Sequence, residues 1–150
     1  MTTRQCHGTL VVLGNQGVLI TGPSGSGKST LALKLLVLGL STGFHACLVS
    51  DDQVLLGEEK GVLVGHTPAS IAGLVEVWGV GPTPVAHQDQ ARIDLLVKLV
   101  PKGRAPRLND ERVEVVEGVS LPLIKLEANN AEGAALAIMA RLGLGPFAAH

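Results

Sequence analysis

The chain is poor in aromatic residues: Phe, Trp and Tyr make up 2% of 150 residues, and tyrosine is absent. That removes the stacking surface on which single-stranded nucleic acid is held. The charge balance points the same way. Twelve basic against thirteen acidic side chains, net −1, leave no basic footprint for a nucleic-acid backbone. Cysteine is scarce as well. Cys6 and Cys47 form no CxxC pair, and a reduced compartment is expected, with Cys47 a small core residue inside an apolar run. No apolar run is long enough to span a bilayer, and the opening "MTTRQCHG" lacks the apolar core of a signal peptide. These absences lead to an expectation of a cytoplasmic protein with neither a nucleic-acid nor a membrane partner.

What is present is aliphatic. Hydrophobic residues are 46% of the chain, so a core of Val, Leu, Ile and Ala is expected. At this length one domain over residues 1–150 is the default, large enough to fold without disulfides. Short β-branched runs at residues 9–13 and 17–21 read as a hairpin. "KSTLALKLLVLG" reads as a buried helix that stops at Gly39, and residues 130–142 as a second helix. "HACLVSDD" is a strand ending in two carboxylates. "QVLLGEEKGVLVG" is a hairpin turning at residues 58–61, and "TPASIAG" a loop or single helical turn. "LVEVWGVGPTPV" begins as a strand and ends as a Gly/Pro-rich loop. "ARIDLLVKLV" reads as one long strand, "PKGRAPRLND" as irregular chain, and "RVEVVEG" and "VSLPLIKLEA" as two more strands. About eight strands against two long helices do not alternate as a doubly wound fold would. They predict an α/β fold with a mixed, hairpin-rich sheet.

The chemistry concentrates around one motif. Gly22-Pro23-Ser24-Gly25-Ser26-Gly27-Lys28-Ser29 fits G-x-x-x-x-G-K-[ST] without mismatch, strand before and helix after, with Thr30 next. Its backbone N–H groups and the helix N-terminus suit phosphate oxygens, Lys28 the β- and γ-phosphates, and the Ser29 hydroxyl a magnesium ion. ATP with Mg²⁺ is the donor expected, the loop itself suiting ATP or another phosphate donor alike. Asp51 and Asp52 close the next apolar strand. One could order the metal and the other accept a proton from an attacking hydroxyl; a turn-forming Asp pair is the structural alternative. Glu76, in a half-apolar strand, is either a partnered carboxylate or an outward-facing one. His7 and Arg107 read on their own as structural and surface residues. His45, His66, His87 and His150 show no ligand spacing, so no zinc site is expected.

Taken together, "CHGTLVVLGNQGVLITGPSGSGKSTLALKLL", "LVSDDQVLL" and "AGLVEVWGVG" make the chain resemble the catalytic domain of HPr kinase/phosphorylase, in a short form consisting of that C-terminal domain only. The likeness is strong over residues 6–81 and follows the order of elements beyond. The resemblance implies a phosphoenolpyruvate carboxykinase-like P-loop fold, a hexamer, and an HPr-like phosphocarrier of the phosphotransferase system as the protein phosphorylated on serine. Phosphorolysis is the reverse activity. It places the family's His-Gly on His7-Gly8, its Walker lysine and magnesium serine on Lys28 and Ser29, and its Asp-Asp pair on Asp51-Asp52. One Asp of that pair is the proton acceptor. Catalytic residues so implied are His7, Lys28, Asp51, Asp52 and Arg107; magnesium ligands are Ser29, Asp52 and Glu76. There are departures: Thr30 where the family commonly has Glu, Trp78 where it has Arg, and no counterpart in "LPLIKLEANNAEG" to a late loop tied to dephosphorylation. They bear on the reverse reaction more than on the kinase. Two other readings use the same loop, a small-molecule kinase and a nucleotide-sensing regulatory module without transferase activity.

Overall fold

The computed structural model describes residues 2–148. Twelve strands and two long helices are present among them. Six strands form the central sheet: β2 (Gly8–Leu13), β3 (Gln16–Thr21), β4 (Ala46–Ser50), β10 (Leu95–Val100), β11 (Arg112–Val116) and β12 (Val119–Glu127), in the order β11-β12-β10-β3-β2-β4. The sheet is mixed, as the hairpin-rich pattern predicts. β3, β10 and β12 run parallel, while β2 lies antiparallel to both β3 and β4.

One face carries α1 (Lys28–Thr42) and α2 (Ala131–Leu142); the other carries a four-stranded sheet of β1 (Arg4–Cys6), β5 (Val54–Glu59), β6 (Val62–His66) and β9 (Gln90–Arg92). Strand period 2 sorts the core accordingly. In β2, Val11 and Leu13 pack under the helices, while Leu10 and Val12 pack toward the second sheet. The strand is buried on both faces, which explains its unbroken apolar run. A separate hairpin, β7 (Leu74–Val77) and β8 (Gly81–Pro84), stands beside the sheet.

Several expectations change here. The helix does not stop at Gly39. It continues to Thr42 and ends on Gly43 in the left-handed conformation. Gly39 serves a different purpose: a Cβ there would come within 2.5 Å of the Ala46 Cβ, so glycine lets α1 lie close on β4. The run "ARIDLLVKLV" is two strands in two sheets, because successive N–H groups face different partners. Ile93 N donates to the Leu63 carbonyl and Asp94 N to the Gly17 carbonyl. The Asp94 carboxylate pins this crossover by accepting from Gly17 N and pairing with Arg92 at 2.9 Å. "GVGPTPV" forms β8 instead of a loop; prolines are tolerated because the strand lies at an edge. The turn between β5 and β6 falls at Lys60-Gly61, both at positive φ, inside the stretch expected.

The topology gathers one edge. β3, β4, β10 and β12 all end there, and β2, running oppositely, begins there. His7, the glycine loop, Asp51-Asp52, residues 101–111 and the start of α2 therefore share the carboxyl edge of the sheet, where α/β folds bind ligands.

Candidate functional site

The loop after β3 is a phosphate cradle in form. Gly27 caps α1 in the left-handed conformation at φ 89°, with no side-chain cap and no acidic residue in the first turn. The N–H groups of the first turn therefore lack intrahelical partners, and the positive end of the helix dipole is uncompensated. Lys28 is buried beneath the loop. Its Nζ donates to the carbonyls of Gly22 at 2.9 Å and Pro23 at 3.2 Å, which leaves one of three N–H bonds for a ligand. Asn129 N donates to the Ser26 carbonyl, bracing the loop from the far side.

The two aspartates are neighbours in sequence and opposite in environment. Asp51 is buried, and its carboxylate accepts three hydrogen bonds: Thr9 Oγ1 at 2.9 Å, Ser29 Oγ at 2.7 Å and the Glu76 backbone N at 2.9 Å. It ties together β2, α1 and β7. Asp52 is exposed with φ 68°, so the chain turns there and sends its carboxylate away from that of its neighbour. Its Oδ1 lies 2.5 Å from His7 Nε2. The Thr9 hydroxyl also accepts from Asp52 N, so one buried threonine holds the Asp51 carboxylate and the Asp52 backbone. Thr9 was not among the residues singled out in the sequence. A lone hydroxyl in an apolar run was its one signal.

Lys28, Ser29, Thr30, Asp52, Glu76 and Trp78 line a cavity of about 170 Å³ with the loop glycines. Glu76 thus faces the site, and its own backbone bonds Asp51. Trp78, at the tip of the β7–β8 hairpin, is 92% exposed at the rim. Arg107 is not brought to this cavity. It lies exposed in the connection after β10, outside the lining residues and without an ion pair among the described residues. Among the described residues no three His, Cys, Asp or Glu side chains converge as a metal cage; His150 lies outside the described residues. The hard oxygens of Ser29, Asp52 and Glu76 in one cavity nevertheless fit magnesium. That ion is bound through one or two carboxylates with substrate phosphates and water, not through an all-protein cage.

The thiols play no visible part. Burial pushes both Cys6 and Cys47 above the ordinary thiol range. At Cys6 the Arg4 guanidinium opposes that rise and Glu117 adds to it. Both stay protonated near neutral pH and are poor nucleophiles.

Comparison with known proteins agrees with this geometry. The family model described as HPr Serine kinase C-terminal domain matches residues 1–140. The chain is 32% identical over 147 residues to HPr kinase/phosphorylase of Limosilactobacillus reuteri, covering 90% of this chain and 44% of that protein. It is 34% identical over 131 residues to that of Caldicellulosiruptor bescii, covering 79% and 40%. The chain thus spans less than half the length of these curated relatives. The solved structure of the Hpr(Ser) kinase/phosphatase from Coxiella burnetii superposes with a TM-score of 0.78 at 28% identity, over 93% of this chain and 88% of that one. The mixed-sheet P-loop kinase fold is therefore shared.

Proposed function

This chain belongs to the HPr serine kinase C-terminal domain family, and on that premise we propose that it transfers the terminal phosphoryl group of ATP to a serine of an HPr-like phosphocarrier protein. One observation carries the reading. Asp52 shares a cavity with Lys28 and Ser29, is held by His7, and is free of the three bonds that occupy Asp51.

The division of labour follows. Asp51 is a positioning residue: it fixes the Ser29 hydroxyl and the backbone of Glu76. Asp52 is the proton acceptor. The substrate serine oxygen attacks the γ-phosphorus, its proton passes to Asp52, a new O–P bond forms, and the bond to the β–γ bridging oxygen breaks to release ADP. Lys28 and the first-turn N–H groups stabilise charge on the transferring group. Magnesium, when bound, would be held by Ser29 and Glu76 and neutralise phosphate charge. Asp52, which the resemblance put in both sets, takes the acceptor role because His7 orients it. In the reverse direction an oxygen of inorganic phosphate attacks the phosphoserine phosphorus as the bond from phosphorus to the serine oxygen breaks; the proton given up by the attacking phosphate passes by way of Asp52 to the serine oxygen, and pyrophosphate leaves.

We place the activity in the cytoplasm, where ATP and the phosphocarrier are supplied. No helix among the described residues is long and apolar enough to cross a membrane. A homo-oligomer, hexameric by resemblance, belongs to the same proposal. The outermost strand β11 leaves Val113 and Val115 exposed, and sedimentation velocity counts the subunits.

The test is transfer of label from γ-labelled ATP with Mg²⁺ to purified HPr. Label on a serine, lost again on adding inorganic phosphate, is expected. Nucleotide binding with no transfer overturns the kinase reading in favour of a regulatory module. Label appearing on a metabolite and not on HPr would instead make it a small-molecule kinase.

A further inference from the structure

A second cavity of about 150 Å³ lies on the other side of the loop. It sits between the N-terminal ends of α1 and α2, and is lined chiefly by Leu31, Leu99, Glu127, Asn130, Ala131 and Ala134. It shares Gly27 and Thr30 with the cavity beside Asp52. Together the two reach the lower end of the size range of small-ligand pockets, about 300 Å³. From this we infer that the α1–α2 cavity is the nucleoside subsite of the triphosphate donor, with Glu127 taking the ribose hydroxyls. The inference rests on the phosphate-loop reading and extends it to the half of the nucleotide that the loop does not touch.

Sheet order dictates the direction. Asp52 follows β4, on one side of β3; β10 and β12 lie on the other. A triphosphate with its terminal group beside Asp52 runs along the loop and leaves past Gly27 and Thr30, toward the ends of β10 and β12. Leu99 of β10 and residues 127–131 wait there.

The lining suits a nucleoside and not a further phosphate. No lysine or arginine faces it. Leu31, Leu99, Ala131 and Ala134 offer an apolar bed for a ring. Glu127, half-buried at the end of β12, makes no hydrogen bond or ion pair with described residues, and a free carboxylate accepts two vicinal hydroxyls. Asn130 spends its Oδ1 capping α2 through Gly133 N, which leaves its amide N–H groups toward the rim. With no aromatic ring and no side chain pairing a donor with an acceptor deep in the bed, the site reads ribose more strictly than base.

Calorimetry on the whole chain tests this with two probes, Mg·ATP and Mg·tripolyphosphate, the second lacking a nucleoside. ATP is expected to bind at least about tenfold tighter, GTP within about threefold of ATP, and 2′,3′-dideoxy-ATP about tenfold weaker than ATP. Ala131→Phe, filling the cavity from the first turn of α2, should bring ATP down to the affinity of tripolyphosphate. Glu127→Gln should weaken ATP several-fold and leave dideoxy-ATP unmoved, and it carries the test if Ala131→Phe does not fold. Equal affinity of ATP and tripolyphosphate for the unsubstituted chain, or ATP binding indifferent to both substitutions, overturns the subsite. If neither probe binds the unsubstituted chain, the phosphate loop itself has been misread and the subsite falls with it.

Discussion

On the β4 side of the loop, Lys28, Ser29, Asp52, Glu76 and His7 crowd polar and ionisable groups around one cavity. On the β10–β12 side, the wall is leucine and alanine with a single carboxylate at the rim. The glycine loop between them is common to both. The difference suggests how a phosphate cradle acquires a purpose: in the proposed reading the charged flank supplies the proton acceptor and the metal ligands, and the apolar flank holds the nucleoside that carries the phosphate. The charged flank is also the more exposed one. Its exceptions are Lys28, buried beneath the loop, and Asp51, sunk beneath the flank as a tie between three elements.

The strongest way to break the comparison is to remove what both flanks share. Lys28→Ala should cost about 10²–10³-fold in transfer to HPr and weaken tripolyphosphate and ATP alike, read by label transfer and calorimetry. Unchanged tripolyphosphate affinity would sever the loop from both flanks. Next, Asp52→Asn should lower the transfer rate about 10²–10⁴-fold with ATP affinity and melting temperature little changed, since its carboxylate is exposed and is the proposed proton acceptor. Transfer at the normal rate would remove Asp52 as acceptor.

Asp51→Asn sharpens the contrast within the pair. Losing a buried acceptor costs about 1–3 kcal/mol, so the melting temperature should fall by roughly 2–12 °C, with magnesium-dependent ATP binding impaired alongside it. A melting temperature equal to that of Asp52→Asn would deny Asp51 its tying role. Glu76→Gln should raise the magnesium concentration needed for half-maximal transfer about tenfold; an unmoved titration discards Glu76 as a ligand. The smallest effect belongs to the rim. Trp78 is the one tryptophan of the chain and exposed, so Trp78→Ala should alter stability by no more than about 0.5 kcal/mol. In the intact protein, its fluorescence should respond to Mg·ATP and not to free nucleoside, for which the other flank is the proposed site.

How much of this was legible in the chain follows from distance along it. The charged flank is spelled out within residues 7–76, because β2, β3 and β4 are near neighbours in sequence and each delivers its functional residue at a strand end. The apolar flank joins Leu31 to Leu99, Glu127 and Ala131. Leucine and alanine carry no sign of which cavity they will line. Glu127 looks like any polar residue between a strand and a helix, and only the parallel pairing of β12 with β10, and of β10 with β3, carries it to the loop. Arg107 shows the converse. A motif resemblance nominated it, and the connection after β10 keeps it away from the cavity.

The sequence by itself determined the cradle and the mixed, hairpin-rich sheet, because both are local: glycines, a lysine and a serine at fixed spacing, and apolar runs broken by turns. It also singled out two adjacent carboxylates at the end of the next strand as candidates to meet that cradle. Only the tertiary structure decided which one is buried and which one is free. That choice rests on Thr9, forty-odd residues away, whose hydroxyl bonds the side chain of Asp51 and the backbone of Asp52 while the chain turns through a positive φ between their directions. A hydrogen bond across neighbouring strands is invisible in a linear pattern, since it depends on register, and register is fixed by how the whole sheet packs.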